Sequence, residues 1–340
     1  YDLATLFRGR ASEKKLDKSL YRKIDYPSQM LYELVHLFKL SQHKIILTLS
    51  YKERKMVFEL FICILFAKLR NVQIEVHYFP VIEEHKNPFS IEMFRQLGCS
   101  VKEYSVGKAP NGISFIADPD DDTFSKLIIK EDDPDTKGVY AYCYEGYEHN
   151  VFIKSFSNFM ERLPNEKFPL KLVKITKKEI LKRMESVKIY KEKDAKFDLI
   201  EVHPKITFPQ SDNKLREYKL KQIELLEQIY KNNDFRLYEP TAVILKNKVK
   251  HLILPPVLEN LNEKLHIAEG HTRLYNNLSR DNKIHCIIVN NLPEELKLET
   301  TSWEQLEFTN DTTSKKHPDE NARYIERDTH RGTWFVGEVI

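Results

Sequence analysis

The chain has 340 residues, 41% hydrophobic and 31% charged, with a formal net charge of +3. These totals describe a soluble globular protein, and the length suggests two domains with sizeable cores. It has only nine glycines, and Gly270 is the single one from Tyr147 to Arg331, so a glycine-rich phosphate loop is excluded from the second half.

Residues 1–43 read as helical, with Leu31, Leu34, Val35, Phe38 and Leu40 on one apolar face. KIILTLS (44–50) reads as a buried strand, 52–70 as a long helix and NVQIEVHYF (71–79) as a strand. A short helix from Pro88 stops at Gly98, and CSVKEYS (99–105) is the next strand. This β-α-β-α-β order predicts a parallel sheet with helices packed on it. Three further strands follow at 112–119, 125–132 and 138–146, joined by acidic turns, and a helix over about 149–163 closes the unit near residue 165. The DPDDD turn (118–122) lacks the spacing of a calcium loop and reads as exposed acid. Glu145, Glu148 and His149 are either metal ligands or the acidic start of that helix.

Residues 166–196 hold eleven Lys/Arg against five Asp/Glu. Lys171, Lys174, Lys178 and Lys182 would share one helix face. The segment is either a solvated helical linker or a phosphate-backbone surface carried by Lys174, Lys178 and Lys182. The second domain runs over 197–300. It opens with a strand from 196, followed by an amphipathic helix (213–232), a helix through His251, the strand-like LPPVLEN, the strand LHIAEG, a helix from His271 and the strand HCIIVN. A polar tail covers 301–340.

The four cysteines are widely spaced, which excludes CxxC motifs and fits a reducing cytoplasm. The charged start carries no signal-peptide pattern, and the most apolar stretch, Met56–Leu69, is broken by Glu59 and too short to span a bilayer. No membrane partner is expected.

The most informative segment is LHIAEGHTRLYNNL (265–278). A buried strand runs into a helix through Glu269, Gly270, His271, Thr272 and Arg273. Gly270 permits a sharp turn, the helix start offers free N–H groups to an anion, and Arg273 would add a bidentate contact. His271 and Thr272 offer hydrogen bonds or acid/base chemistry. The alternative is an ordinary strand–turn–helix corner.

EGHTRL followed by a helix and IHCIIV resembles the signature of the ParB/sulfiredoxin superfamily, and PPVLEN looks like that family's upstream strand. The likeness covers residues 197–300 and implies an α+β domain. Sulfiredoxins carry a reactive cysteine where this chain has His271, which argues against that activity. The nearer likeness is to the free-serine kinases and related ATP-users, whose upstream "HE" segment is matched only by Tyr238-Glu239. The resemblance implies that Gly270, His271, Thr272 and Arg273 hold the phosphates of ATP or another NTP, with His271 in the chemistry. Glu269 or Glu239 would be the general base or Mg2+ ligand. The implied function is hydrolysis or transfer of the nucleotide's phosphate, in bacterial DNA processing, modification or defence. Alternatives are a free-serine-type kinase, a DNA- or partner-binding module, and a nuclease using Glu239, Glu263 and Glu269. Partners would be nucleotide, DNA, and a second copy or another protein through the N-terminal domain or the tail.

The N-terminal order also resembles half of a phospholipase-D-like domain. Its H-x-K-x4-D motif belongs near 112–132, where this chain has Asp118, Lys126 and Lys130 but no histidine. The histidine is the nucleophile, so the resemblance implies an inactive copy; an unrelated Rossmann-like domain is the other reading. The fold class is thus α/β, with a mixed-sheet N-terminal domain.

Overall fold

The computed structural model describes residues 21–310 and 335–337, except 25–26, 54–55, 57–58, 87, 108–111, 133–138, 166–167, 186, 211–213, 281 and 293–299. The chain is α/β and divides into two compact units, Tyr1–Leu170 and Lys171–Ile340. No helix among the described residues is long and apolar enough to cross a membrane.

In chain order, unit 1 contains β1 (Arg22–Ile24), α1 (Pro27–Leu40), β2 (Lys44–Ser50), α2 (Phe61–Leu69), β3 (Gln73–Phe79), α3 (Phe89–Gln96), β4 (Ser100–Glu103), β5 (Gly112–Ala117), β6 (Lys126–Asp132), β7 (Val139–Glu145) and α4 (Asn150–Ser157). The seven strands form one sheet in the order β1-β7-β6-β5-β2-β3-β4. β2, β3 and β4 are parallel, as the alternation of strand and helix requires, and β5, β6 and β7 are antiparallel. α3 ends against Gly98 in the left-handed region (φ +72°). α2 is apolar on every side and accordingly buried from Phe61 to Lys68. Of the helix expected over 52–70, Tyr51–Glu53 forms a separate 3-10 turn, and residues 54–55 and 57–58 lie outside the described residues. α4 packs Ile153 and Phe156 onto Ile46, Ile116 and Leu127, and it stops well before the expected residue 163.

Unit 2 contains β8 (Lys171–Lys174), α5 (Lys177–Glu185), α6 (Lys188–Glu192), β9 (Lys196–Val202), β10 (Thr207–Phe208), α7 (Glu217–Asn232), β11 (Thr241–Ile244), β12 (Lys250–Ile253), β13 (Val257–Leu261), β14 (Lys264–Glu269), α8 (His271–Asn276), β15 (Ile284–Asn290) and β16 (Phe335–Gly337). One sheet has the order β10-β14-β13-β15-β9 and the other β16-β12-β11-β8. Two expectations change here. The helix expected through His251 is the antiparallel hairpin β11–β12, closed at Leu245–Val249. The basic segment is not wholly helical either: Lys171 and Lys174 lie on β8, paired with β11, whereas Lys178 and Lys182 lie on α5. The four lysines therefore share no helix face.

Candidate functional site

The corner around Gly270 is built as a strand end followed at once by a helix start. Gly270 is left-handed (φ +101°), and a Cβ there would stand 2.8 Å from Cβ of Pro256 and 3.1 Å from Nη2 of Arg273. Glycine is thus demanded by close packing within the unit. His271 is buried, and its Nε2 accepts a hydrogen bond from the Gln210 backbone N–H at 3.1 Å. Burial pushes its pKa down to about 3, so the ring is neutral with the proton on Nδ1. Arg273 is 0% exposed, donates from Nη1 to the Leu254 carbonyl, and sits over the Tyr238 ring at 5.7 Å. Burial lowers its pKa, while Glu269 acts in the opposite sense. Both basic side chains expected to hold phosphates are therefore turned into the unit. Glu269 and Thr272 are half-buried.

Glu239 is buried and engaged locally. Its Oε1 accepts from the Arg236 backbone N–H (2.9 Å) and from Lys174 Nζ (3.0 Å), so it caps its own turn. Lys174 also lies over the Phe235 ring, which ties that lysine to the turn. Glu263 and Asn262 are the two left-handed residues of the β13–β14 hairpin turn, a structural position. Among the described residues the group of three converging metal donors is Glu33, Cys143 and Glu145, and it includes neither Glu239 nor Glu269.

Sequence reading missed the group that holds this corner. Glu227 on α7 is buried and accepts from Tyr238 Oη (3.1 Å), Asn276 Nδ2 (3.0 Å) and Asn277 Nδ2 (2.6 Å), and pairs with Arg280 (2.5 Å). A buried carboxylate surrounded by donors positions α8 on α7. The only hint was the run Asn276, Asn277 and Arg280 directly after the corner.

In unit 1 the acidic run is used by the backbone. Asp118 accepts from Ser41 Oγ and from the N–H groups of Gln42, His43 and Lys44, and Asp121 from Thr123 and Phe124. The unusual feature lies beside them. Lys126, the first residue of β6, is 0% exposed, and its Nζ is 2.7 Å from Glu33 and 2.8 Å from Glu145. Arg22 of β1 closes on Glu33 at 2.7 Å. Burial alone would lower the Lys126 pKa, but Cys143, Glu145 and Glu33 outweigh it and the pKa rises. Burial likewise opposes ionisation of Glu33 and Glu145, yet Lys126 brings both below the ordinary carboxylate value. Burial raises the Cys143 thiol to about 11, so it stays protonated.

A family model described as "Inactive HKD-Rease" matches residues 56–163. Residues 56–163 of unit 1 are thus similar to an inactive HKD-type, phospholipase-D-like domain. Set against H-x-K-x4-D, the chain reads Phe124-x-Lys126-x4-Glu131. That spacing sets Lys126 against the lysine, Phe124 against the histidine and Glu131 against the aspartate, and residues 112–132 contain no histidine. Lys126 is enclosed by Glu33 and Glu145, so its charge is spent inside the fold. The match does not extend to residues 197–300.

No curated protein matches the chain. Two solved structures are similar at 10% identity. One is TrmBL2, an archaeal chromatin protein described with a mode of DNA binding (TM-score 0.31; 48% of this chain, 60% of that one). The other is polyphosphate kinase from Porphyromonas gingivalis (TM-score 0.29; 63% of this chain, 38% of that one). The chain spans less than two thirds of either.

Proposed function

We infer that this protein works as a binding module built partly on a silenced HKD scaffold, and that unit 1 performs no phosphodiester chemistry. The observation that carries this reading is Lys126: fully buried, bridged by two carboxylates, and preceded by Phe124 where the nucleophile would stand. HKD chemistry needs a histidine to attack phosphorus and a cation to meet the phosphoryl oxygens. Here the first is absent, and the second is buried and already neutralised by two carboxylates, so it offers no free cation to an approaching phosphate. What remains is a seven-stranded scaffold. The test is turnover of bis(p-nitrophenyl) phosphate and plasmid DNA by the purified chain. Wild type and Lys126→Ala should both stay at background. Turnover in wild type that Lys126→Ala abolishes would overturn the reading.

A second reading concerns the corner at 269–273: ATP or another NTP with Mg2+, hydrolysed or used as a phosphate donor. It is supported by the half-buried Glu269 and Thr272, which flank the Gly270–His271 corner. It draws no support from His271 and Arg273, which are occupied inside the unit. A thermal-shift panel of nucleotides with Mg2+ tests it. A shift that disappears in Thr272→Ala supports it, and no shift with any nucleotide rejects it.

A further inference from the structure

The tertiary structure sorts the lysines around the β8–β11–β12 sheet into two groups. Three are neutralised: Lys174 by Glu239 (3.0 Å), Lys177 by Asp198 (3.0 Å) and Lys250 by Glu179 (2.6 Å). Four others are exposed and make no ion pair among the described residues: Lys171, Lys178, Lys182 and Lys248. The fold gathers these four at one end of the sheet. Lys171 pairs with Ile244, the last residue of β11 before the turn that carries Lys248. Lys250 opens β12 on the other side of that turn and reaches Glu179 in the first turn of α5, which brings Lys178 to the same end. Ile180 and Met184 of α5 are buried, so Lys178 and Lys182, about 160° and 200° around the helix from Ile180, face outward one above the other.

The hairpin turn is also well defined. The Leu245 and Lys248 N–H groups donate across it, to the carbonyls of Val249 and Leu245, and the Asn247 side chain accepts from the Val249 N–H. Lys248 takes the left-handed position (φ +67°), which glycine or asparagine adopts at lower cost. Glu185 is the exposed carboxylate one turn beyond Lys182. The other carboxylates named on this face already have a lysine, so among the described residues the four remaining lysines leave a positive surplus.

We propose that Lys171, Lys178, Lys182 and Lys248 form a docking surface for a nucleic-acid phosphate backbone. Four compact ammonium groups spread over a strand, a helix and a hairpin tip suit a row of phosphates, contacted without base readout. Among the described residues no aromatic side chain is interleaved with them, which favours duplex over stacked single strand.

The experiment is fluorescence anisotropy of the full chain with a labelled duplex oligonucleotide across a salt series. Four phosphate contacts predict a log K against log salt slope of about −3.6, or about a 150-fold loss between 50 and 200 mM salt. The quadruple variant Lys171→Ala/Lys178→Ala/Lys182→Ala/Lys248→Ala should lose measurable low-salt binding, with circular dichroism unchanged. Lys86→Ala in unit 1 should keep both affinity and slope. The proposal is overturned if wild type does not bind duplex at low salt, or if the quadruple variant keeps the wild-type slope. It is also overturned if phosphatidylserine vesicles are bound and duplex DNA does not compete. None of these outcomes depends on whether unit 1 cleaves phosphodiesters.

Discussion

Lys126→Met removes the charge at the centre of unit 1 while keeping most of the side-chain volume. Breaking a buried ion pair by deleting one partner costs about 3–5 kcal/mol. The low end applies here. Arg22 still holds Glu33 at 2.7 Å, and Glu145, 50% exposed, can turn to water. An expected loss of about 3 kcal/mol corresponds to roughly a 100-fold drop in amide protection for β6 and β7. Hydrogen exchange is the right readout, because both tryptophans, Trp303 and Trp334, belong to unit 2 and tryptophan fluorescence does not report on unit 1. The pH dependence has a fixed sign. Glu33 and Glu145 have lowered pKa values in the fold, so their share of the stability is complete above the unfolded value of 4.5 and is lost as pH falls through the folded values. Lys126 has a raised pKa, so its share is present below 10.5 and is lost only as pH rises through its folded value. The gap between wild type and Lys126→Met should therefore be widest near neutrality and narrow under acid. Adding Glu33→Gln should recover part of the loss at pH 7. Protection within a few-fold of wild type at pH 7, or a gap that stays constant down to pH 3, would show that the cluster is not a structural lock.

Three further outcomes follow from unit 2. Gly270→Ala forces a Cβ to 2.8 Å from Pro256 at a positive φ and should cost about 1–3 kcal/mol, read as a lower urea midpoint by tryptophan fluorescence. His271 has its pKa depressed to about 3 from 6.5, so unit 2 should lose up to about 1.4 kcal/mol per pH unit on acidification below 6.5. His271→Gln should flatten that slope between pH 6 and 4, and an unchanged slope would refute the buried neutral ring. Glu227→Ala orphans the amides of Asn276 and Asn277 and the charge of Arg280, and should destabilise unit 2 by about 3 kcal/mol. Glu227→Gln should cost less, because it keeps an acceptor oxygen; equal losses in the two variants would count against the hub.

Much of the architecture was legible along the chain because it is set by short-range pattern. Alternating β-branched strands, the apolar helix at 61–69 and the left-handed stop at Gly98 each show in a few neighbouring residues. The hairpin β11–β12 was not legible. Its turn residues, Lys246, Asn247 and Lys248, include no glycine or proline, and lysine is a good helix former, so local propensity pointed to a helix while pairing with β8 decided for strand. The motif at Gly270 was legible as a corner, but its chemistry was not. A sequence states that a histidine and an arginine follow a glycine; it does not state the side to which they turn. The long reach from Arg273 to Leu254 and the bond from Gln210 to His271 link residues distant in the chain, and they send both side chains inward. The same holds for charge. The sequence by itself determined the count of lysines, the α/β order and the absence of a histidine from residues 112–132. Only the tertiary structure decided which lysines are neutralised and which are left to act, because an ion pair depends on distance through space, and register and helix packing set that distance.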